Sequence, residues 1–471
     1  MALSHCRSYE ALLPLLTGLG WLWYAGGATP LGLIFVLLPG LMLSLSGGFL
    51  LLRPDDSRFS RFAALGGLLG TVAALFMLFS GSVLMDLCLL MGSATSFLVA
   101  GMVSVRRYAL AEEAPAPKLS VRLAAEVAID ETMLGMLEFS LPILLKKDPG
   151  SIGREVQAAH ELFQERGWLG APAAYHRTPP ALTEPELRWR RAAGLDFEQL
   201  SFASDYEPWP DEPGSGRWLG YSPNRHSHAW ILRQPDPGQP WLLCIHGQGM
   251  GLPRRDLWAF RAMRLYRRLG LNLAFPILPL HGPRTVGRWP RESVFSGDLL
   301  DAIHAEAQAL WDLRRLLTWI RAQGATRIGV YGLSLGGYSA ALLASLDSQL
   351  ACVIAGIPAS DITDLIGYHI SPQQRRRAER AGLHFAELGT VMRVVSPLAL
   401  TPCVPRTQRA IFGAVADRIV PTWQVCELWR HWERPALLWY QGSHMSFALH
   451  KTVGTFVEDR LRQANLIQPP H

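Results

Sequence analysis

Ile328-Gly-Val-Tyr-Gly-Leu-Ser334-Leu-Gly-Gly337 is a short β-branched run that drives into Gly-x-Ser-x-Gly, and an apolar, helix-forming Tyr338-Ser-Ala-Ala-Leu-Leu-Ala-Ser345 follows it. Strand, tight turn and helix in that order predict a serine held in a strained conformation, with Oγ exposed at the end of a buried strand. Glycine is expected at 332 and 336 because a side chain at either position would collide with the neighbouring strand and helix. The helix that begins at the serine aims its unpaired N–H groups and positive dipole end at the site, which favours a developing oxyanion. In a chain with 43 glycines the pentapeptide alone is a weak signal. The strand before it and the helix after it give it specificity.

Downstream, two further strand ends carry polar residues. Gln408-Arg-Ala-Ile-Phe-Gly-Ala-Val415 reads as a buried strand that leads into Asp417 and Val420-Pro421. Leu437-Leu-Trp-Tyr440 reads as another, followed by Gln441-Gly-Ser-His444. In this order His444 is the candidate base that takes the proton of Ser334, and Asp417 is the acid that fixes its tautomer and stabilises the imidazolium. Either residue alone reads as an ordinary loop residue. The ordered set of three, each after its own strand, points to nucleophilic catalysis.

Upstream, Pro240-Trp-Leu-Leu-Cys-Ile245 is an apolar strand ending in His246-Gly-Gln-Gly-Met-Gly251. Such a loop lets a backbone N–H face the nucleophile. The candidate oxyanion donors are the amides of Gln248 and of Leu335, directly after the serine. Leu271-Asn-Leu-Ala-Phe275 leads into His281-Gly282. His246, Gly247 and His281 are the candidate substrate-binding residues, with a purely structural loop role the alternative for His281.

With these motifs the chain resembles the α/β-hydrolase superfamily over roughly residues 196–462. The resemblance rests on His246-Gly247, Gly332-x-Ser334-x-Gly336, Asp417 before Val420-Pro421, and Gly442-x-His444. It implies an α/β fold with a mostly parallel sheet flanked by helices, occupying 196–465, and a lid at about 360–400. It implies a serine hydrolase, with esterases, lipases, thioesterases, amidases, peptidases and acyltransferases all open. Within the lid region, Gln373-Gln-Arg-Arg-Arg-Ala-Glu-Arg380 reads as a solvated basic helix face, or as a contact for phospholipid headgroups or an anionic acyl donor.

The first 110 residues have a different character. Apolar segments run at about Ala11–Ala25, Leu31–Leu52, Phe62–Ser80 and Val83–Val105. Three approach or exceed the ~20 residues that cross a bilayer core, and the first is shorter. The expectation is an all-α transmembrane domain of about four helices. Gly66-x-x-x-Gly70 permits close helix contact, Pro39 predicts a kink, and Asp86 near the start of the last segment reads as an interfacial carboxylate. Arg7, then Arg53, Arg58 and Arg61, then Arg106 and Arg107 all fall on one side of the spans, while the intervening loops are uncharged. The positive-inside rule makes that side cytoplasmic, which places the hydrolase region there, on a bacterial inner-membrane type of protein.

Residues 111–195 form a linker and helical connector. Val121–Leu145 reads as an amphipathic helix, either on the membrane or packed on the protein. Packing is favoured because Glu126, Asp130, Glu131 and Glu138 would repel an anionic surface. Ser151–Trp168 reads as a further helix, and 170–186 as proline-rich and irregular.

Composition narrows the function classes. A length of 471 residues allows two or three domains. The formal charge of +6 is spread thinly, with no basic block and no nucleic-acid-binding module. The six cysteines are scattered, without Cys-x-x-Cys or metal-ligand spacing, so they read as reduced thiols and no metal or cofactor is expected. The expected partners are the membrane and a lipid or acyl-ester substrate. A catalytically silent scaffold, an acyltransferase and, least, a transporter are the alternatives.

Overall fold

The computed structural model describes residues 9–27, 30–53, 56, 58–78, 82–108, 110–144, 149–236, 238–287 and 299–468. Cys6, Arg7, Ser80, Gly81, Lys146 and Lys147 lie outside them. The chain divides into two compact units. One is Met1–Ile143 with Ala414–Thr422 and Trp439–Leu449; the other is Leu144–Gly413, Trp423–Leu438 and His450–His471.

The first unit contains α1 (Leu12–Tyr24), α2 (Pro30–Leu52), α3 (Arg58–Met77), α4 (Val83–Arg107) and most of α5 (Val121–Leu144). Small residues bring α2, α3 and α4 together. Gly66 faces Met42 and Leu43 of α2, while Gly67 and Gly70 face Ser93 and Phe97 of α4. Backbones this close gain dispersion and leave room for interhelical hydrogen bonds, such as Trp21 Nε1–H to Ser93 Oγ at 2.9 Å. The bundle is apolar outside and partly polar inside. Trp23, Phe35, Phe76 and Leu84 are exposed, while Thr17, Ser93, Ser96 and Ser104 are buried.

Gly32–Leu52, Arg58–Met77 and Val83–Arg107 are long and apolar enough to cross a membrane, with mean hydropathies of 2.1, 1.5 and 1.9. The expected first span differs. α1 has 13 residues, about 20 Å of helix against a core of about 30 Å. Asp86, expected at an interface, is fully buried in the first turn of α4. α2 runs through Pro39 as one helix.

The second unit is built on a nine-stranded sheet in the order β1-β2-β3-β5-β4-β6-β7-β8-β9. The strands are β1 (Glu186–Ala192), β2 (Leu195–Ala203), β3 (His226–Leu232), β4 (Trp241–Ile245), β5 (Asn272–Pro276), β6 (Ile328–Leu333), β7 (Cys352–Gly356), β8 (Arg409–Ala414) and β9 (Ala436–Tyr440). β1, β2, β3 and β5 pair antiparallel in succession. β5, β4, β6, β7 and β8 pair parallel. β4 to β8 are buried at every position, which explains their continuous apolar runs. β1 was not foreseen: its Leu187-Arg-Trp-Arg190 alternates over only four residues, and the strand is almost wholly exposed.

The helices of this unit are α6 (Pro149–Glu165), α7 (Ser215–Leu219), α8 (Pro253–Ala259), α9 (Leu299–Ala322), α10 (Leu335–Leu343), α11 (Ile362–His369), α12 (Pro372–Arg380), α13 (Phe385–Met392), α14 (Thr422–His431, its first residue in the other unit) and α15 (Lys451–Gln463). The insertion between β7 and β8 is thus three short helices. α12 carries the arginine run, has no buried residue, and is closed by a capping box between Ser371 and Gln374.

Candidate active site

Ser334 stands between β6 and α10 with φ 57° and ψ −115°. That conformation costs a non-glycine residue of order 1–3 kcal/mol and persists only where the surroundings over-determine it. Here they do. The Ser334 N–H donates to Gly356 C=O of β7 at 2.8 Å, and its carbonyl accepts from Tyr338 N–H at 3.0 Å, the first turn of α10. All nine residues of α10 are buried. A Cβ at Gly332 would collide with Gly336 C=O, and one at Gly336 with the Ile245 and His246 carbonyls at the end of β4. Leu335 opens the helix, so its amide is among the donors that an α-helix leaves without an internal partner.

The loop after β4 runs beside the serine. A Cβ on Gly247 would sit 3.2 Å from Ser334 Cβ and 3.0 Å from Leu333 C=O, so any larger residue would push the loop a few tenths of an ångström from the serine. Two histidines shape it. Leu278 N–H donates to His246 Nε2 at 3.1 Å, so the ring proton is on Nδ1, which donates to Gly247 C=O at 2.9 Å. His281 Nδ1 lies 2.8 Å from Pro279 C=O and must donate to it. Burial, reinforced by His246, pushes the His281 pKa down to about 3, so the ring is neutral and Nε2 carries the lone pair. Gln248 Oε1 stands 3.0 Å from that nitrogen, two acceptors facing each other, so the amide is turned over and donates through its NH2. Both histidines are buried and act on the loop that holds Gln248.

Two residues that motif reading passed over complete this framework. Asp256 of α8, fully buried, accepts from Gly251 N–H at 3.0 Å and Trp230 Nε1–H at 3.2 Å. Burial raises its pKa to about 7. Arg284, also fully buried, pairs with Asp312 at 2.9 Å and donates to Ile277 C=O at 2.9 Å and Asn224 C=O at 3.1 Å, pinning the segment after β5. No motif in the sequence marks either residue.

Asp417 and His444 belong to the first unit and are brought together. His444 Nδ1 donates to Asp417 Oδ2 at 2.7 Å. Asp417 Oδ1 accepts from Ile419 N–H at 3.0 Å and Val420 N–H at 2.7 Å, which locks the carboxylate over its own turn. A carboxylate only accepts, so Nδ1 holds the proton and Nε2 the lone pair, the form a general base requires. Burial disfavours the charged ring, but the Asp417 charge and hydrogen bond and the Asp130 charge outweigh it, so the His444 pKa lies above its ordinary value.

The same two loops are tied to α5. Asp130 accepts from the backbone of Arg418, His444 and Met445, and Arg418 Nε donates to Glu131 at 2.7 Å. Val415, Ala416 and Trp439 pack with Val105 of α4 and Leu123 and Val127 of α5. The acidic residues that favoured packing of this helix thus include two that bind the loops of the candidate acid and base.

The chain is 42% identical over 362 residues to two curated proteins of Mycobacterium tuberculosis, uncharacterized protein Rv2627c of strain H37Rv and uncharacterized protein MT2702 of strain CDC 1551. The match covers 76% of this chain and 86% of each relative, and the chain belongs to their family. No family model matches it. Among solved structures it is similar to acetyl xylan esterase 1 from Thermoanaerobacterium sp. JW/SL YS485, at 14% identity, 64% of this chain, 93% of that one and a TM-score of 0.44. It is also similar to Pyrococcus horikoshii acylaminoacyl peptidase, at 13% identity, 61% and 43% coverage and a TM-score of 0.40. A putative dienelactone hydrolase from Klebsiella pneumoniae gives 15%, 51%, 93% and 0.36. At those values the likeness bears on neither substrate nor chemistry.

Proposed function

We propose that this chain is a membrane-anchored serine hydrolase of the α/β-hydrolase superfamily that cleaves a carboxylic ester. The observation that carries the reading is Ser334, held at φ 57° between a buried strand and a buried helix, with Gly247 packed against it. No fold requires strain at a serine, whereas a nucleophile that must project into a cleft does. In this reading Ser334 Oγ attacks the carbonyl while His444 Nε2 takes its proton. The amides of Leu335 and Gln248 stabilise the oxyanion, and the alcohol leaves with the proton that His444 returns. Water, activated by the same imidazole, then releases the acid. His246, Gly247 and His281 shape the substrate side of the oxyanion loop.

The membrane part of the proposal is supported by the three long apolar helices and the outward-facing Trp23, Phe35 and Phe76. A tethered enzyme meets bilayer-borne esters at high effective concentration, which favours a lipid or acyl-ester substrate. Arg53, Arg58, Arg61, Arg106 and Arg107 favour a cytoplasmic hydrolase region. An acyltransferase would use the same three residues with an alcohol or amine in place of water.

The test is covalent labelling of the full chain in detergent with a fluorophosphonate probe, alongside Ser334→Ala and His444→Ala. Labelling of wild type that both variants lose supports an activated serine. Folded wild type that does not label favours a binding scaffold instead.

A further inference from the structure

We propose that Asp130, on α5, is a positioning residue for the catalytic base, so that the helical N-terminal part of the chain supplies a piece of the catalytic machinery. The proposal rests on the hydrolase reading above.

Asp130 is fully buried and is met by donors from two loops. Oδ2 accepts from Arg418 N–H at 3.2 Å and His444 N–H at 2.9 Å. Oδ1 accepts from Met445 N–H at 3.1 Å, and from Ser443 Oγ, at 3.0 Å, which shares its hydroxyl proton with Glu126 C=O at 2.9 Å. One carboxylate therefore clasps the residue after the acid, Asp417, and the three residues centred on the base, His444. The Asp417–His444 bond depends on the separation of these loops, and Asp130 bridges them.

A purely structural clasp would not require a charge. Burying a carboxylate is costly, and Asn or Ser would satisfy one or two of these donors more cheaply. Burial and the Asp417 charge push the Asp130 pKa up to about 7, while the backbone N–H groups of His444 and Met445 favour its charged form, so the carboxyl is ionised above that pH. Its charge also acts on the base, as Asp130 raises the pKa of His444. The charged groups around the ring are Asp417 from the loop after β8, Asp130 and Glu131 from α5, and Arg418, whose guanidinium is paired with Glu131 at 2.7 Å.

Glu131 extends the clasp into the bundle. It accepts from Ser104 of α4 and pairs with Arg61 of α3 at 3.9 Å, and Arg61 reaches Glu138 at 3.4 Å. A polar chain thus joins two candidate spans to the side chain of Arg418, the residue after Asp417.

The experiment compares full-length wild type, Asp130→Asn and Ser443→Ala in detergent, reading the fluorophosphonate labelling rate from pH 5 to 9 with circular dichroism as a fold check. Asp130→Asn is expected to label about tenfold to a hundredfold more slowly at its plateau, the cost of a misplaced base. Its acid limb is expected at lower pH than wild type, because loss of the negative charge lets His444 give up its proton more readily. A loss of packing alone has no reason to move the limb in that direction. Ser443→Ala, which keeps the charge, is expected to slow labelling several-fold without a downward shift of the limb, and it decides the matter if Asp130→Asn does not fold. Wild type that labels while the variants match its rate and limb overturns the positioning role alone. Folded wild type that never labels overturns the hydrolase reading and this inference with it.

Discussion

His444 Nδ1 and Asp417 Oδ2 lie 2.7 Å apart, and the same carboxylate spends its other oxygen on the amides of Ile419 and Val420. The acid is therefore fixed by its own turn before it meets the imidazole. This division of labour makes its replacement by asparagine informative. The amide oxygen of Asn keeps the two turn bonds, while the NH2 group faces Nδ1 and forces the ring proton onto Nε2. Asp417→Asn is expected to remain folded and to lose fluorophosphonate labelling by on the order of 10³–10⁴, measured as an initial rate.

The pH profile of wild type follows from the same pair. The base must be neutral to act, and the His444 pKa is raised above 6.5. Labelling should fall as pH drops through that raised value, so the acid limb lies above 6.5. A limb below it would show that burial outweighs Asp417 and Asp130.

Glu306 of α9 gives an opposite signature in stability. It is buried, accepts from Ser339 Oγ–H at 2.9 Å, and burial raises its pKa from 4.5 to about 7. A raised folded-state pKa means stability present below the unfolded value and lost as pH rises through the folded one. Glu306→Gln should match wild type near pH 4 and exceed it at pH 8 by up to about 3 kcal/mol, read from thermal melts.

Gly247→Ala tests the approach of the oxyanion loop to the nucleophile. The added carbon would stand 3.2 Å from Ser334 Cβ and 3.0 Å from Leu333 C=O, closer than ordinary contact. The loop has to move by a few tenths of an ångström or more. Labelling should fall by about tenfold to a hundredfold, while the melting temperature changes little.

Membrane insertion has a direct readout. With Phe76 83% exposed and Leu84 75% exposed on the bundle surface, the chain should stay with the membrane through carbonate washing and leave it only in detergent. Fusions after His471 should fluoresce with green fluorescent protein and remain inactive with alkaline phosphatase if the C-terminal region is cytoplasmic. The reverse pattern would overturn the topology drawn from the arginines.

Much of the sheet was legible because its parallel strands are buried on both faces. Cys352–Gly356 and Trp241–Ile245 read as uninterrupted apolar runs for that reason. β1 was not legible, since an exposed edge strand has no buried face and its Leu187-Arg-Trp-Arg190 alternates over only four residues. The burial of Asp86 was not legible either. Hydropathy averages over a window, and the face on which one carboxylate lies does not survive the average.

The amino-acid sequence by itself determined the turn at Ser334, because a strand, Gly-x-Ser-x-Gly and a helix are interactions among near neighbours. It also set the order of Ser334, Asp417 and His444, each marked by the end of its own strand. Only the tertiary structure decided that Asp130 clasps the acid and base loops. Its bonds to Arg418 and His444 join residues 288 and 314 positions apart. A buried aspartate and a solvated one look alike in a helical stretch of sequence, and what separates them is the set of donors that a distant part of the chain brings to them.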